Sequence, residues 1–156
     1  SDRMAGGRIY VFHNTILQPP APSGRQETMG AATGLGHGGA MVNVTSRNNL
    51  LHVQAGGRSI YDRNRDPRCS YDYDLYNGRV PKDQEKHGVR GQPVYAPGAG
   101  FDGASKSGRF QLAPDSPGAG QGLAIPNFSD GFTGPAPDMG AHQRGTPPMQ
   151  FGVGVK

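Results

Sequence analysis

The sequence predicts an all-β chain built of stacked solenoid coils, and three observations predict it. First, a short phrase returns three times: His13-Asn14-Thr15-Ile16-Leu17, Arg47-Asn48-Asn49-Leu50-Leu51 and Asp72-Tyr73-Asp74-Leu75-Tyr76. Second, each copy closes a run of strand-forming residues, at Ile9 to Phe12, Met41 to Thr45 and Cys69 to Tyr71. Third, no window carries apolar residues at i, i+3, i+4 and i+7, and Gly or Pro interrupts almost every long stretch, so no helix is expected. A strand, a polar corner and an apolar step, repeated along a chain, describe one coil of a solenoid. Such a coil cannot close a core alone, and about three are needed for stability.

The run from Arg8 to Leu17 is the clearest strand, β-branched and aromatic with no breaker inside. The run from Met41 to Leu50 repeats it with clean alternation: Val42, Val44 and Ser46 face one side, Asn43, Thr45 and Arg47 the other. Between them, residues 18–40 form a long Gly/Pro-rich loop without periodicity. From Asn14 to Asn48 is 34 residues, whereas from Asn48 to Tyr73 is 25. The first interval is therefore a coil plus an insertion, the second nearly a plain coil. Within the second, His52-Val53 and Ser59-Ile60-Tyr61 are candidate strands on either side of a turn at Gly56-Gly57.

Stacked copies put like residues in columns. In register, the first column holds His13, Arg47 and Asp72, and the second Asn14, Asn48 and Tyr73. The third holds Thr15, Asn49 and Asp74; the apolar columns are Ile16, Leu50, Leu75 and Leu17, Leu51, Tyr76. Corner amides such as Asn14 and Asn48 are expected to form a structural ladder, hydrogen-bonding from coil to coil.

Composition fits an ordinary globule poorly. Only 33% of residues are apolar, and Gly (26) and Pro (14) make up about a quarter of the chain. That load is densest between Gln18 and Ala40 and beyond Gly91. We therefore expect coils over residues 1–95, with an inserted loop at 18–40, and an irregular tail over 96–156 packing on or capping them. The net charge of +4 suits an anionic partner, acidic polysaccharide or nucleic acid, or serves solubility alone. No aromatic-interleaved basic motif of the RNA-binding kind appears, so nucleic acid is the least expected partner. One cysteine, Cys69, excludes an internal disulfide. No apolar stretch approaches the length of a membrane span. The chain starts Ser-Asp-Arg rather than at Met and shows no signal peptide, so a processed chain or a piece of a longer one is expected.

Later phrases extend the pattern: His87-Gly88-Val89-Arg90-Gly91-Gln92-Pro93-Val94-Tyr95, Phe110-Gln111-Leu112-Ala113-Pro114-Asp115-Ser116-Pro117 and Pro137-Asp138-Met139-Gly140-Ala141. With the three corner phrases, and in this order, they resemble the C-terminal coils and tail of right-handed parallel β-helix proteins, the pectate-lyase-like superfamily. The resemblance covers nearly the whole chain. It departs from the family at Gly118-Ala119-Gly120-Gln121-Gly122 and at His142-Gln143, where such tails carry acidic residues. It implies the C-terminal part of a secreted or cell-surface carbohydrate-active protein, first of all a polysaccharide lyase-like enzyme acting on acidic polysaccharide. The alternative is a non-catalytic β-solenoid for adhesion, assembly or surface structure. Either way an open edge is expected near Arg8, to be met by further N-terminal coils, another chain or a copy of itself.

Lyases of this family project basic residues from one parallel sheet to abstract a proton beside a uronate carboxylate, which Ca²⁺ or Arg neutralises. On that pattern His13 and Arg47 are the catalytic candidates, with Asp72 beside them in the column binding substrate. A solvated face with one surface ion pair is the competing reading. Tyr71, Tyr73, Tyr76 and Tyr95 are further candidates for stacking on sugar, or else pack at the end of the coils. His37, in its Gly-rich loop, is placed to approach a ligand, or sits in a plain linker. Asp62 and Asp66 offer oxygen ligands suited to Ca²⁺, although the interspersed Arg63 and Arg65 also suit a salt-bridge cluster.

Overall fold

A computed structural model of the chain describes residues 7–18, 33–36, 41–54, 57–63, 66–102, 104, 107–147 and 149–150. Among these there is no helix, and the fold is all-β with parallel sheets. The chain travels in rounds. The first contributes β1 (Ile9–Phe12), β2 (Thr15–Gln18) and β3 (Thr33–Gly36); the second β4 (Val44–Arg47), β5 (Leu50–Val53) and β6 (Arg58–Tyr61). The third contributes β7 (Ser70–Tyr71) and β8 (Leu75–Tyr76), and Arg79 bridges to Arg58 where a third strand would lie. Like strands pair in parallel as β1-β4-β7, β2-β5-β8-β9 and β3-β6, with β9 (Val89–Arg90) closing the second sheet.

The register confirms the second and third phrases as aligned and corrects the first by one residue. Ser46 faces Tyr71 and Leu50 faces Leu75, as the phrases require. In the first round, however, Phe12 pairs with Arg47 and Thr15 with Leu50, so His13 lies over Asn48 rather than Arg47. The three corner residues that share a column are His13, Asn48 and Tyr73, with φ of 51°, 58° and 60°. All three are left-handed, which turns the chain sharply from one sheet to the next. Asn and His are among the residues enriched in this conformation, whereas Tyr pays roughly 1–2 kcal/mol for it.

The amide ladder accordingly keeps Asn14 but takes Asn49 rather than Asn48 as its next rung. Asn49 Oδ1 accepts from both the Asn14 backbone (2.9 Å) and Asn14 Nδ2 (3.0 Å). Asp74 Oδ1 accepts from the Asn49 backbone (2.7 Å) and Asn49 Nδ2 (2.9 Å). Glu85 Oε2 then accepts from the Asp74 backbone at 3.1 Å. Each corner N–H, which has no strand partner, is satisfied by a side chain from the following round. Asn48 stands outside that ladder: its amide meets His13 Nε2 of the first round at 3.0 Å and grips the tail, donating to Leu123 O and accepting from Leu123 N, each at 2.7 Å.

The alternation read from Val44 to Arg47 holds, because that sheet is covered on one face: Val44 and Ser46 are buried, Thr45 and Arg47 are not. All of β5 is buried, because both of its faces are covered. Inward, Leu51 joins Val44, Ile60, Cys69 and Tyr71 in the core between the sheets. Outward, Leu50 and Leu75 pack under Leu112 and Met139, which the tail lays across the second sheet. The tail is thus a second wall. Asp138 braces it, accepting from the Gly120 and Arg144 backbones and pairing with the Arg144 guanidinium at 2.8 Å. Beyond this, β10 (Gly100–Asp102), β11 (Ser107–Arg109) and β12 (Met149–Gln150) form a small antiparallel sheet. Among the described residues no helix is long and apolar enough to cross a membrane.

Strand β3 corrects the reading of residues 18–40 as loop throughout. Thr33, Leu35 and Gly36 pair with Arg58, Ile60 and Tyr61, and the strand exists because β6 templates it. Gly36 has φ of 92°, and a Cβ there would overlap the Tyr61 backbone carbonyl. Gly36→Ala is therefore expected to destabilise the chain by about 2 kcal/mol, read as a lower urea midpoint. An unchanged midpoint would remove β3 from the folded unit.

Candidate functional site

The first sheet turns one face outward to solvent, and alternation decides what stands there. In register order that face carries Tyr10 and Phe12 on β1, Thr45 and Arg47 on β4, then Ser70 and, just past β7, Asp72. Neighbouring rows lie about 4.8 Å apart. Phe12 is flanked by Tyr10 at 5.4 Å and meets Phe128 of the tail edge-on at 5.2 Å between ring centres. Tyr10 and Phe128 are 55% and 60% exposed. Large exposed rings beside one another form a platform for an apolar sugar face or another protein surface.

Arg47 lies along the face toward the third row. It donates to Ser46 O (2.6 Å), Ser70 O (3.0 Å) and Ser70 Oγ (2.8 Å), so its charge is anchored by neutral oxygens. Asp72 then orients a histidine that the columns did not bring in. His87 Nδ1 donates to Asp72 Oδ2 at 2.8 Å and the His87 backbone to Oδ1 at 2.7 Å, with the Tyr73 amide also on Oδ1 at 3.0 Å. Burial pushes the Asp72 carboxyl up, but the bonds from His87 and Tyr73 outweigh it and leave it below its ordinary value. The imidazole stacks on Tyr73 at 4.7 Å and 13°, and the His87 side chain is 60% exposed. A carboxylate fixing Nδ1–H leaves Nε2 as the basic atom, the orientation that general-base catalysis uses. A cleft of about 350 Å³ opens beside Asp72, bounded by Ser70, Asp83, Glu85 and Lys86.

The expected residues are distributed as follows. Arg47 and Asp72 share the outward face. His13 does not join them: its Nε2 meets Asn48 Nδ2 (3.0 Å) and Ser129 Oγ (2.9 Å) under the tail. Burial pushes its pKa down, with the Gly140 carbonyl opposing. Tyr71 is fully buried, pointing inward because Ser46 does, and its hydroxyl donates to Asp62 Oδ2 at 3.0 Å. Its ionisation is pushed far up, first by burial and then by Cys69 and Asp62. Tyr76 pairs with Leu51 and packs on the inner core. Neither tyrosine stands on the outward face. His37 lies outside the described residues.

Asp62 and Asp66 line one small cavity of about 110 Å³, but Lys82 lines it too and Asp66 is held by Arg68 at 2.7 Å. Among the described residues no three His, Cys, Asp or Glu side chains converge as metal ligands. Of the stacking candidates, Tyr73 lies against His87 and the Tyr95 hydroxyl meets His52 Nδ1 at 3.0 Å; sequence reasoning missed His87, Phe12 and Phe128 as site residues. The alternation that put Asp72 outward was visible; that the chain returns 15 residues later to lay His87 on it was not.

No protein-family model matches this chain, no curated protein is similar to it at a significant level, and no solved structure matches it at a significant level.

Proposed function

We propose that this chain supplies C-terminal rounds of a right-handed parallel β-helix and acts on acidic polysaccharide as a secreted β-eliminating lyase. The observation that carries this reading is the Asp72–His87 pair on the outward face, one row from Arg47. Parallel rounds joined by left-handed corners and a continuous ladder support the β-helix itself.

In the proposed reaction, Arg47 neutralises the carboxylate of a uronic residue and so acidifies the hydrogen on C5. Nε2 of His87 takes that proton while Asp72 steadies the imidazolium. The electron pair left on C5 forms the C4–C5 double bond, and the C4–O4 bond breaks. The imidazolium returns the proton to the departing O4. The aromatic platform of Tyr10, Phe12 and Phe128 holds a neighbouring sugar.

The test is ultraviolet absorbance of the unsaturated product when the chain meets polygalacturonate, alginate or glucuronate-containing polymers. We expect His87→Ala and Arg47→Ala each to lower the rate by about a hundredfold or more. Product formed equally by His87→Ala would end the proposal.

A second reading, a non-catalytic β-solenoid used for assembly, is favoured by the first round. Ile9 occupies the inward position of Val44, yet it is 45% exposed where Val44 is 1% exposed. Binding of polymer without turnover, or concentration-dependent filaments, would select this reading.

A further inference from the structure

The tail crosses the first corner in a short turn that brings Phe128 onto the aromatic platform, and His13 holds that turn. The turn closes on itself: the Phe128 and Ser129 backbones donate to Ile125 O at 3.0 and 2.8 Å, and the Ile125 backbone donates to Ser129 Oγ at 2.9 Å. Asn127 is left-handed within it, with φ of 67°. At its start, Asn48 clasps both backbone groups of Leu123. Beyond Leu123, among the described residues, one hydrogen bond ties the turn to the coils: Ser129 Oγ to His13 Nε2 at 2.9 Å. The bonds around Asn48 fix where the His13 proton lies. The Leu123 N–H requires Oδ1 and the Leu123 carbonyl requires Nδ2, so the Asn48 amide cannot invert. Its Nδ2 therefore faces His13 Nε2 as a donor at 3.0 Å, and Nε2 must be bare. The proton then sits on Nδ1, which is enclosed beside Gly140. We propose that neutral His13 is a positioning residue for the aromatic platform: it accepts from Asn48 and Ser129, sets Phe128 edge-on against Phe12, and lets the turn go when its ring gains a second proton.

A protonated ring would turn an N–H toward the Asn48 donor, which has no means of accepting it. Among the described residues no carboxylate pairs with the ring to offset its charge. Arg47, on the next row, is turned to Ser70, and Asp130, beside Ser129, is exposed. Asp138 and Arg144, flanking Gly140 in the chain, pair with each other at 2.8 Å. Burial accordingly pushes His13 down from its ordinary 6.5, with the Gly140 carbonyl opposing. A histidine whose pKa is lowered by docking gives the docked turn stability that is complete above the ordinary value and lost as pH falls. From the proposed function this inference takes only the sugar that the platform holds. The clamp itself needs no turnover and is read without sugar.

The experiment follows the full chain by NMR as the pH is lowered from neutral, beside His13→Gln, whose amide oxygen accepts at every pH, and Ser129→Ala, which lacks the tie. In the parent, long-range imidazole correlations are expected to show the His13 proton on Nδ1 and a titration below the ordinary 6.5. Overhauser contacts between the Phe12 and Phe128 rings should be present at neutral pH and fade as His13 titrates. In His13→Gln they should persist through that range, and in Ser129→Ala they should be weak at every pH. Trigalacturonate should bind the parent about fivefold more weakly below the His13 titration than above it, the worth of one aromatic contact. His13→Gln should lack that part of the change, and any other protonation is common to both proteins and cancels. Ring contacts that fade equally in His13→Gln, or a neutral His13 with its proton on Nε2, would overturn the clamp. A parent that never binds trigalacturonate while its ring contacts behave as stated would overturn the polysaccharide reading and uphold the clamp.

Discussion

Asn49→Ala is expected to destabilise the chain by about 4 kcal/mol, the largest loss from any single amide. Asn49 is fully buried, and its side chain makes five hydrogen bonds. Its oxygen accepts from the Asn14 backbone and side chain; its nitrogen donates to Val11 O, Ser46 Oγ and Asp74 Oδ1. Alanine would leave the Asn14 N–H without its acceptor, remove a second donor from the Val11 carbonyl, and strip a donor from a buried carboxylate. Each such orphan costs roughly 1–3 kcal/mol, more beside a charge. Asn14 stands at the exposed end of the same ladder, so Asn14→Ala should cost only about 1 kcal/mol. Urea denaturation of both variants measures the gradient. Equal losses would show that the rungs do not act as a ladder.

Glu85→Gln is expected to stabilise the protein, and to do so only where the pH is above the ordinary carboxyl range. Burial pushes the Glu85 carboxyl up to about 10 from an ordinary 4.5, and the Asp74 charge beside it pushes the same way. Asp74 is also raised by burial, opposed by bonds from Ser46 and Asn49, so Glu85 is the member that holds the proton. In the unfolded chain Glu85 releases that proton near 4.5, whereas the folded chain keeps it to about 10. A raised folded pKa gives stability that is complete below 4.5 and lost progressively as pH climbs toward 10. At about 1.4 kcal/mol per pH unit, the loss reaches about 3 kcal/mol by pH 7. Glutamine keeps an oxygen for the Asp74 N–H and supplies N–H donors where the acid proton stood, without the titration. Melting curves of parent and variant should therefore coincide near pH 4 and separate steadily to pH 9, with the variant higher. Parallel curves across that range would show that Glu85 is ionised in the fold.

Strand positions were legible wherever one face is buried and the other wet. The stretch Val44–Arg47 declares its inner and outer sides by simple alternation, and its fit to Ser70 and Tyr71 follows. The slip in the first phrase has an equally simple origin. Matching Ile16 to Leu50 looks better than matching Thr15 to Leu50, yet the observed pairing puts Thr15 Oγ1 under the tail as acceptor for Ala141 N at 3.1 Å. A polar residue at an apolar column is invisible until the covering segment is known. A slip of one residue exchanges inner and outer faces, which is why it removed His13 from the row of Arg47 and Asp72.

The covering tail was the least legible part. Its Gly and Pro content reads as irregular, and Gly140 sits against Thr15 and Leu50 because a larger residue would not fit there. Spacing alone does not say that Leu112 and Met139 complete a core begun by Leu50 and Leu75. Nor does it say that Glu85 and His87 return to the two acids of the third phrase, Glu85 to Asp74 and His87 to Asp72.

By itself, then, the amino-acid order determined the all-β class, the absence of helices among the described residues, the outward placement of Arg47 and Asp72, and the repeating corner. These are local matters of alternation, breakers and backbone preference. Only the tertiary structure decided which corner residue lies over which, which faces the tail covers, and which histidine meets Asp72. Those outcomes depend on contacts between segments far apart in the chain, where burial and hydrogen-bond satisfaction choose among registers that local preference leaves nearly equal.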